Sequence, residues 1–346
     1  MLKKTGLLAA SLLACTVFAA GAFARDLVIV SNGGTFQEAQ SNAIFKPFEK
    51  KTGIKVVEDT WDNGIGVIRT KVEGGDSGWD IVNAESEELE IACQEGLILP
   101  LDIDKLGGKD NYVPGAVHKC GIGAAIYNHV LAYDKTRVSA VPSWADFFDL
   151  KKYPGKRALR ASPKTNLEFA LIADGVPLSD VYKVLSTPEG VDRAFAKLDT
   201  IKSSLVFWTA GGQPMQLLAS GVVVMTSSFN GRVTNAINKD KKPFGIVWDK
   251  SLQTADSWVI LKTSPNVDKA YELLKFAGEA EPQSHLPDVQ PIGITSAKAV
   301  GLIKPELLPD LPTAPENNKD VLQINDAFWI DNIDALTARW AEWSAQ

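Results

Sequence analysis

Cysteine, histidine and positive charge are scarce in this chain of 346 residues. It has three cysteines, three histidines and a formal net charge of −6. His118, His129 and His285 are far apart, and none belongs to a metal-binding motif such as H-E-x-x-H. An acidic chain also lacks the basic face that nucleic acids and anionic membranes attract. We therefore expect neither a bound metal nor a nucleic-acid partner.

Motifs for nucleotide binding and covalent catalysis are missing as well. The sequence contains no G-x-x-x-x-G-K-S/T and no G-x-S-x-G, and the glycines of "SNGGTF" do not complete G-x-G-x-x-G. "GGDSGWD" looks like the nucleophile loop of a serine protease, but the first histidine comes only at position 118. We expect no cofactor and no enzymatic activity. A secreted hydrolase that uses cleft carboxylates on a small amine or a glycoside stays the alternative.

A long apolar run occurs only at the N-terminus. Residues 1–24, "MLKKTGLLAASLLACTVFAAGAFA", combine two lysines, an apolar stretch and an A-x-A ending. This pattern predicts a signal peptide that is cleaved after Ala24, and therefore a periplasmic protein. Acylation of Cys15 and retention as an anchor are the alternatives. The stretch after Cys15 is apolar where a lipid tether should be polar, however, and no stop-transfer charges follow.

Two cysteines, Cys93 and Cys120, remain after the leader. In an oxidising compartment an isolated pair is expected to form a disulfide. Such a bond would stabilise the fold by roughly 3–4 kcal/mol in the chain-entropy model. Two buried free thiols are the alternative.

Strand and helix patterns alternate along the chain, which indicates an α/β fold with helices on the faces of a sheet. The predicted strands cover 26–30, 54–59, 79–82, 157–161, 221–228, 244–249 and 256–262. The predicted helices end at 52 or cover 64–73, 86–95, 166–174, 178–185, 190–202, 229–240 and 267–278. We expect Gly53 to end the first helix in a left-handed cap and Ser86 to be an N-cap. Residues 305–319 are typical of a loop.

The length of the chain favours two domains. A single core stops growing at about 250–300 residues, and the chain after the leader is longer than that. No flexible linker separates the halves, which suggests two lobes joined by short crossing strands.

Five stretches together give the chain a family resemblance. They are "FKPFEKKTGIKV", "WDIVNAESEELEIACQEGLILPLD", "LAYDKTRVSAVPSWADFFDLKKYPGKRAL", "LLASGVVVMTSSFNGRV" and "ADSWVI". In this order and spacing they resemble the periplasmic solute-binding proteins of polyamine-type ABC transporters, which bind spermidine or putrescine. The resemblance covers nearly the whole chain after the leader.

The resemblance implies a two-lobed periplasmic-binding-protein fold of type II, with a mixed sheet in each lobe and a hinge of two crossing segments. Lobe 1 would take residues 25–128 and 257–320, lobe 2 residues 129–256, and a helical segment at 321–346 would pack on the lobes. The crossings are expected near 126–131 and 251–258. A monomer of this kind closes on a small amine or amino acid and delivers it to an inner-membrane ABC permease.

The resemblance also implies which residues face the cleft between the lobes. The candidate ligand-binding residues are Thr35, Phe36, Glu85, Ser86, Trp208, Phe229, Arg232 and Asp256. Asp256 matches the carboxylate that receives a ligand ammonium in the family, and Phe229 matches an aromatic platform for a methylene chain. Phe36 and Trp208 are further aromatic candidates.

Two departures from the family pattern change the predicted ligand. Arg232 stands where polyamine binders have a small uncharged residue, and Ser162 and Thr165 stand where they have acids. An arginine in the cleft suits a carboxylate, which it can bind through two parallel hydrogen bonds. The sequence therefore predicts a zwitterion such as 4-aminobutyrate, although the carboxylate of Glu85 could hold a second amine and restore putrescine.

Overall fold

The computed structural model describes residues 25–75 and 78–345. The predicted signal peptide and Cys15 lie outside this part of the chain. Within it, every helix is too short or too polar to cross a membrane.

The strands belong to one hydrogen-bonded array. They are β1 (Leu27–Ser31), β2 (Val56–Thr60), β3 (Ile81–Ala84), β4 (Ile122–Asp134), β5 (Arg157–Arg160), β6 (Leu205–Trp208), β7 (Met225–Phe229), β8 (Phe244–Ile260) and β9 (Val321–Gln323). The order across the array is β2-β1-β3-β8-β4-β7-β5-β6, and β9 pairs with β8.

The helices flank these strands on both sides. The first three are α1 (Gly34–Gln40), α2 (Lys46–Thr52) and α3 (Ile65–Glu73), with a π-helical turn at Ser41–Phe45 between α1 and α2. They are followed by α4 (Ser86–Gln94), α5 (Trp144–Phe147), α6 (Asn166–Ala173), α7 (Val181–Leu185) and α8 (Pro188–Asp199). The remaining helices are α9 (Gln213–Ala219), α10 (Asn230–Asn238), α11 (Val267–Ala277), α12 (Ala280–Val289) and α13 (Asp326–Ala345).

Two long strands, β4 and β8, run through the whole array and divide it into two lobes. They pair with each other in antiparallel fashion over most of their length. Residues 257–260 of β8 also pair with β3, whereas residues 129–133 of β4 also pair with β7. We call the half that carries β1–β3 lobe 1 and the half that carries β5–β7 lobe 2. The predicted two-lobed α/β fold is thus confirmed.

Each lobe has its own buried core. In lobe 1 the strands pack against α1, α2, α11 and α12 on one face and against α3 and α4 on the other. In lobe 2 the equivalent layers are formed by α5–α8 and by α9 and α10. The lobe boundaries at 128/129 and 256/257 stay a prediction.

The structure adds a third segment to the crossing region. β9 lies parallel to β8 and pairs with residues 251–253, inside the stretch predicted as a crossing. The C-terminal segment therefore begins with a strand and continues as α13. Helix α13 buries Trp329, Trp340 and Trp343 in the core of lobe 2 and also contacts α4 of lobe 1.

Several local predictions can be compared with the structure. Gly53 ends α2 with φ 75°, the left-handed cap that was expected. The N-cap of α4 is Glu85 and not Ser86, because the backbone N–H of Glu85 donates to the Glu88 carboxylate at 2.9 Å. The two strands predicted at 244–249 and 256–262 form the single strand β8, and the sequence prediction missed β6, β9, α5, α9 and α12.

The predicted disulfide is confirmed. It joins Cys93, near the end of α4, to Cys120, which lies just before β4. The two Cα atoms are 5.8 Å apart, a normal separation for a disulfide. The bond thus links α4, a helix of lobe 1, to the segment just before β4, a strand that both lobes share.

Candidate ligand-binding site

A cavity lies between the lobes, and its volume is about 570 Å³ when the solvent-filled space at its opening is included. Five of the predicted site residues line it: Phe36, Glu85, Phe229, Arg232 and Asp256. The segments after β1, β2, β3, β6 and β7 and the strands β4 and β8 supply most of its wall. These are the ends of strands at which open α/β sheets bind ligands.

Arg232 reaches across the cavity from the first turn of α10 in lobe 2 to lobe 1. Its Nη2 atom donates to the backbone carbonyls of Asn32 and Gly33 at 3.4 Å and 3.3 Å. Burial lowers the pKa of this guanidinium to about 10. Among residues 25–75 and 78–345, no carboxylate forms an ion pair with it. The guanidinium is therefore a cation without a counterion on the wall of the cavity.

Glycines make room for this guanidinium. A Cβ on Gly34, whose φ is +58°, would lie 2.7 Å from Nη1 of Arg232. A Cβ on Gly211 would lie 2.8 Å from its Nε. Contacts this short are not tolerated, so any larger residue at either position would displace the arginine. The glycines of "SNGGTF" thus allow the close approach of a charged side chain.

Asp256, on β8, is the acidic counterpart in the cavity. The hydroxyl of Tyr127 donates to its Oδ1 at 2.8 Å. Burial, together with the nearby negative charge of Glu85, raises the pKa of the Asp256 carboxyl well above its usual range. In the part of the chain that the structure describes, no cation forms an ion pair with it. An ammonium group arriving in the cavity would supply that missing charge.

Aromatic rings form the wall around Phe229, at the end of β7. Its ring centroid lies 4.9 Å from that of His129, 5.5 Å from that of Tyr127 and 5.7 Å from that of Trp208. Trp208 is only 1% exposed and packs behind Phe229, so it supports the wall without lining the cavity. Burial lowers the pKa of His129 to about 3, and its ring is therefore neutral at pH 7.

Glu85 lines the cavity but already has partners for both of its oxygens. Oε1 lies 2.8 Å from Nη1 of Arg160 and accepts from the Asn63 amide at 2.7 Å. Oε2 accepts from Nζ of Lys164 at 3.0 Å. Burial alone would raise the pKa of Glu85, but the charges of Arg160 and Lys164 outweigh it and hold the pKa well below its usual range. Glu85 is therefore an ionised carboxylate whose charge is balanced within the protein.

These residues belong to a buried group of charges that bridges the lobes. We call it the interlobe cluster; its members are Glu85, Glu87, Glu88, Arg160 and Lys164. Lys164 donates to Glu87 as well as to Glu85. Burial and the charge of Glu85 raise the pKa of Glu88 well above its usual range. Glu85 and Glu87 thus pair with the two cations of the cluster, Arg160 and Lys164.

The other two predicted residues do not line the cavity. The Thr35 hydroxyl donates to Oε1 of Gln290 at 2.5 Å, and it is Gln290 that lines the wall. The Ser86 hydroxyl donates to Asp326 of α13 at 2.5 Å and pairs with the Thr254 hydroxyl at 3.2 Å. Both hydroxyls are thus occupied by structural hydrogen bonds.

Several lining residues were absent from the predicted set, among them Asn63, Tyr127, Arg160 and Gln290. Tyr127 lies within the stretch predicted as a crossing, so its place on β4 was the one available signal. Arg160 is the last residue of β5, inside the strand predicted at 157–161, whereas Asn63 lies in a loop and Gln290 follows the end of α12. As for metals, the described residues contain no group of three or more His, Cys, Asp or Glu side chains that could hold an ion.

The arrangement can bind one negative and one positive group at the same time. Arg232 offers a guanidinium for an anion, and Asp256 offers a carboxylate for an ammonium. Phe229 offers an apolar face on the wall of the same cavity. Charge-assisted hydrogen bonds in such a desolvated cavity are stronger than hydrogen bonds between neutral groups.

Comparison with known proteins identifies the family of the chain. The family model of bacterial extracellular solute-binding proteins matches residues 43–315. A gamma-aminobutyric acid-binding protein of Pseudomonas aeruginosa is 39% identical over 329 residues, which cover 95% of this chain and 93% of that one. The binding protein MotA of A. tumefaciens B6, solved with glucopine, has a TM-score of 0.88 and 33% identity, covering 92% of this chain and all of MotA. The GABA receptor Atu4243 has a TM-score of 0.82 and 33% identity, covering 93% of this chain and 98% of its own.

Proposed function

The chain belongs to the family of bacterial extracellular solute-binding proteins, and we propose that its ligand is an ω-amino acid such as 4-aminobutyrate. The resemblance found in the sequence is thereby confirmed, and the protein is the substrate-binding component of an ABC importer. The family consists of solute-binding proteins, so the hydrolase alternative has no support. In our proposal the protein is exported by cleavage after Ala24 and acts as a monomer that delivers its ligand to an inner-membrane permease.

The observation that carries the proposal is the pair of unbalanced charges, Arg232 and Asp256. A ligand carboxylate would bind the guanidinium of Arg232, and a ligand ammonium would bind Asp256. The methylene chain between them would pack against Phe229. A zwitterion with separated charges removes both electrostatic penalties at once, which favours the closed arrangement of the lobes.

A diamine such as putrescine fits the same charges less well. Its second ammonium would face Arg232, which would repel it. Glu85 cannot offer a replacement site, because Arg160 and Lys164 already balance its charge. The names of two similar proteins, the gamma-aminobutyric acid-binding protein and the GABA receptor, support the same choice.

Calorimetry on the protein without residues 1–24 tests the proposal. Bound ligand is first removed by unfolding, dialysis and refolding, and 4-aminobutyrate, putrescine and spermidine are then titrated separately. We expect a Kd for 4-aminobutyrate in the micromolar range or tighter, about −8 kcal/mol or better. A matching increase in melting temperature should accompany binding. Tight binding of putrescine together with no response to 4-aminobutyrate would refute the proposal.

A further inference from the structure

A cleft that accepts 4-aminobutyrate must also reject glutamate. Glutamate is 4-aminobutyrate with one additional carboxylate, attached to the carbon that bears the amine. Both molecules could place an ammonium at Asp256 and the distant carboxylate at Arg232. The selective feature must therefore lie where the additional carboxylate would sit, beside the ammonium.

Glu85 and Arg160 lie in that region of the cavity. Both line it, and their charged groups are 2.8 Å apart. Strand β3 pairs with the antiparallel strand β8 as far as Ala84 and Ser257, so Glu85, which follows Ala84, and Asp256, which precedes Ser257, are the next facing positions. Tyr127, whose hydroxyl donates to Asp256 at 2.8 Å, also lines the cavity. The ion pair is thus a neighbour of the site proposed for the ammonium.

Arg160 would be a second carboxylate receptor if it were not already paired. Its guanidinium faces the cavity, and an unpaired guanidinium there would bind an α-carboxylate as Arg232 binds the distant one. Glu85 removes this option by balancing the charge of Arg160. An α-carboxylate would then lie near Glu85 and Asp256 without a free cation, which is unfavourable in a desolvated cavity.

We propose that Glu85, by neutralising Arg160, is the residue that makes the cleft select ω-amino acids and exclude α-amino dicarboxylic acids. The proposal rests on the proposed function. In this proposal Glu85 does not bind the ligand. It pairs with Arg160 and so prevents that guanidinium from binding a ligand carboxylate.

The test measures the affinities for glutamate and 4-aminobutyrate in variants of the interlobe cluster. Glu85→Gln removes the negative charge but keeps the size of the side chain, and it leaves Lys164 with its second partner, Glu87. We expect the affinity for glutamate to rise at least about tenfold over that of the wild type, the value of one charge-assisted contact. The double variant Glu85→Gln/Arg160→Gln should lose this gain, because the released guanidinium is gone.

Glu87→Gln is the matched control. It removes a carboxylate from the same buried cluster, but Glu87 does not line the cavity and pairs with Lys164. The ratio of the two affinities should therefore stay at its wild-type value. A rise in glutamate affinity in Glu87→Gln as large as that in Glu85→Gln would show a general loosening of the cluster and would overturn the proposal.

The opposite substitution tests the proposal should Glu85→Gln not fold. Arg160→Gln leaves Glu85 bound to Lys164 and removes the guanidinium that balances it on the cavity side. This variant should gain affinity, again about tenfold, for 4,5-diaminopentanoate, in which an aminomethyl group replaces the α-carboxylate of glutamate. Cooperative melting shows whether a variant is folded. If folded Glu85→Gln binds glutamate no better than the wild type does, or folded Arg160→Gln binds 4,5-diaminopentanoate no better, the inference is overturned. Failure of the wild type to bind 4-aminobutyrate would instead refute the proposed function.

Discussion

Replacing Arg232 by methionine should raise the stability of the ligand-free protein and abolish ligand binding. The two effects have one cause, because the guanidinium is held in the cavity without a counterion until a carboxylate arrives. Methionine keeps most of the length of the side chain and removes the charge. A substitution that stabilises the fold while destroying the function is typical of a binding residue held under an electrostatic penalty.

The size of the penalty follows from the pKa of Arg232. Burial lowers it from 12.5 to about 10, and each pKa unit corresponds to about 1.36 kcal/mol, so the charge costs about 3 kcal/mol. The long hydrogen bonds to Asn32 and Gly33 return part of this cost. Each such hydrogen bond contributes roughly 0.5–1.5 kcal/mol, so the two together offset about 1–3 kcal/mol, and we expect a net gain of up to about 2 kcal/mol in the free energy of unfolding.

The loss of binding should be large. Removing one partner of a desolvated charge pair costs about 2–5 kcal/mol, which corresponds to at least about a thirtyfold weaker Kd for 4-aminobutyrate. Calorimetry measures the Kd, and thermal or urea unfolding of the ligand-free protein measures the stability. Lower stability combined with wild-type affinity would show that Arg232 is a structural residue and would refute the reasoning.

Arg157→Met is the matched control for this experiment. Burial also lowers the pKa of Arg157 to about 10, but its guanidinium lies in the core of lobe 2 and away from the cavity. It donates to the backbone carbonyls of Phe147, Asp149, Tyr153 and Gly155. Methionine would leave these carbonyls unpaired. We therefore expect Arg157→Met to lower the stability and to leave the affinity unchanged, the opposite of both effects at Arg232.

Two further predictions concern stability. Reducing the Cys93–Cys120 bond, which spans 27 residues, should lower the free energy of unfolding by roughly 3–4 kcal/mol. Urea unfolding with and without reductant measures this change. The stability of a Cys93→Ser/Cys120→Ser variant should not depend on reductant. Burial raises the pKa of Glu168 from 4.5 to about 6, so the folded protein holds this proton more tightly than the unfolded chain. Stability should therefore fall by about 2 kcal/mol as the pH rises from 4.5 through 6, and Glu168→Gln should remove that part of the pH dependence.

The sequence was sufficient for the architecture because local patterns and a family resemblance both encode it. Gly53 marks the end of α2, and the cysteine pair was recognisable from its number and compartment. The division of β8 into two strands was wrong for a physical reason. The polar stretch 249–253 looks like a turn, but β4 pairs with β8 on both sides of it and β9 pairs with 251–253, so long-range hydrogen bonds keep the strand continuous.

The site was harder to predict because residue type does not reveal which partner a side chain has. Ser86 was a reasonable cleft residue after β3, yet its hydroxyl binds Asp326, which lies 240 positions later in the chain. Glu85 was a reasonable amine receptor, yet its carboxylate already pairs with Arg160 and with Lys164, which lies 79 positions later in the chain. Contacts at such separations depend on how the two lobes meet, and no local pattern records them.

Ligand selectivity in this cleft therefore depends on which charges remain unbalanced once the lobes have closed. Counted by type, the cavity wall offers two guanidiniums and three carboxylates, of which Asp62 is exposed to solvent. The pairing of Glu85 with Arg160 removes one buried charge of each sign, and Arg232 and Asp256 are the buried groups that are left. A ligand must then supply one carboxylate and one ammonium, and it gains nothing from a second group of either kind. The ion pair thus narrows the choice of ligand without having to contact it.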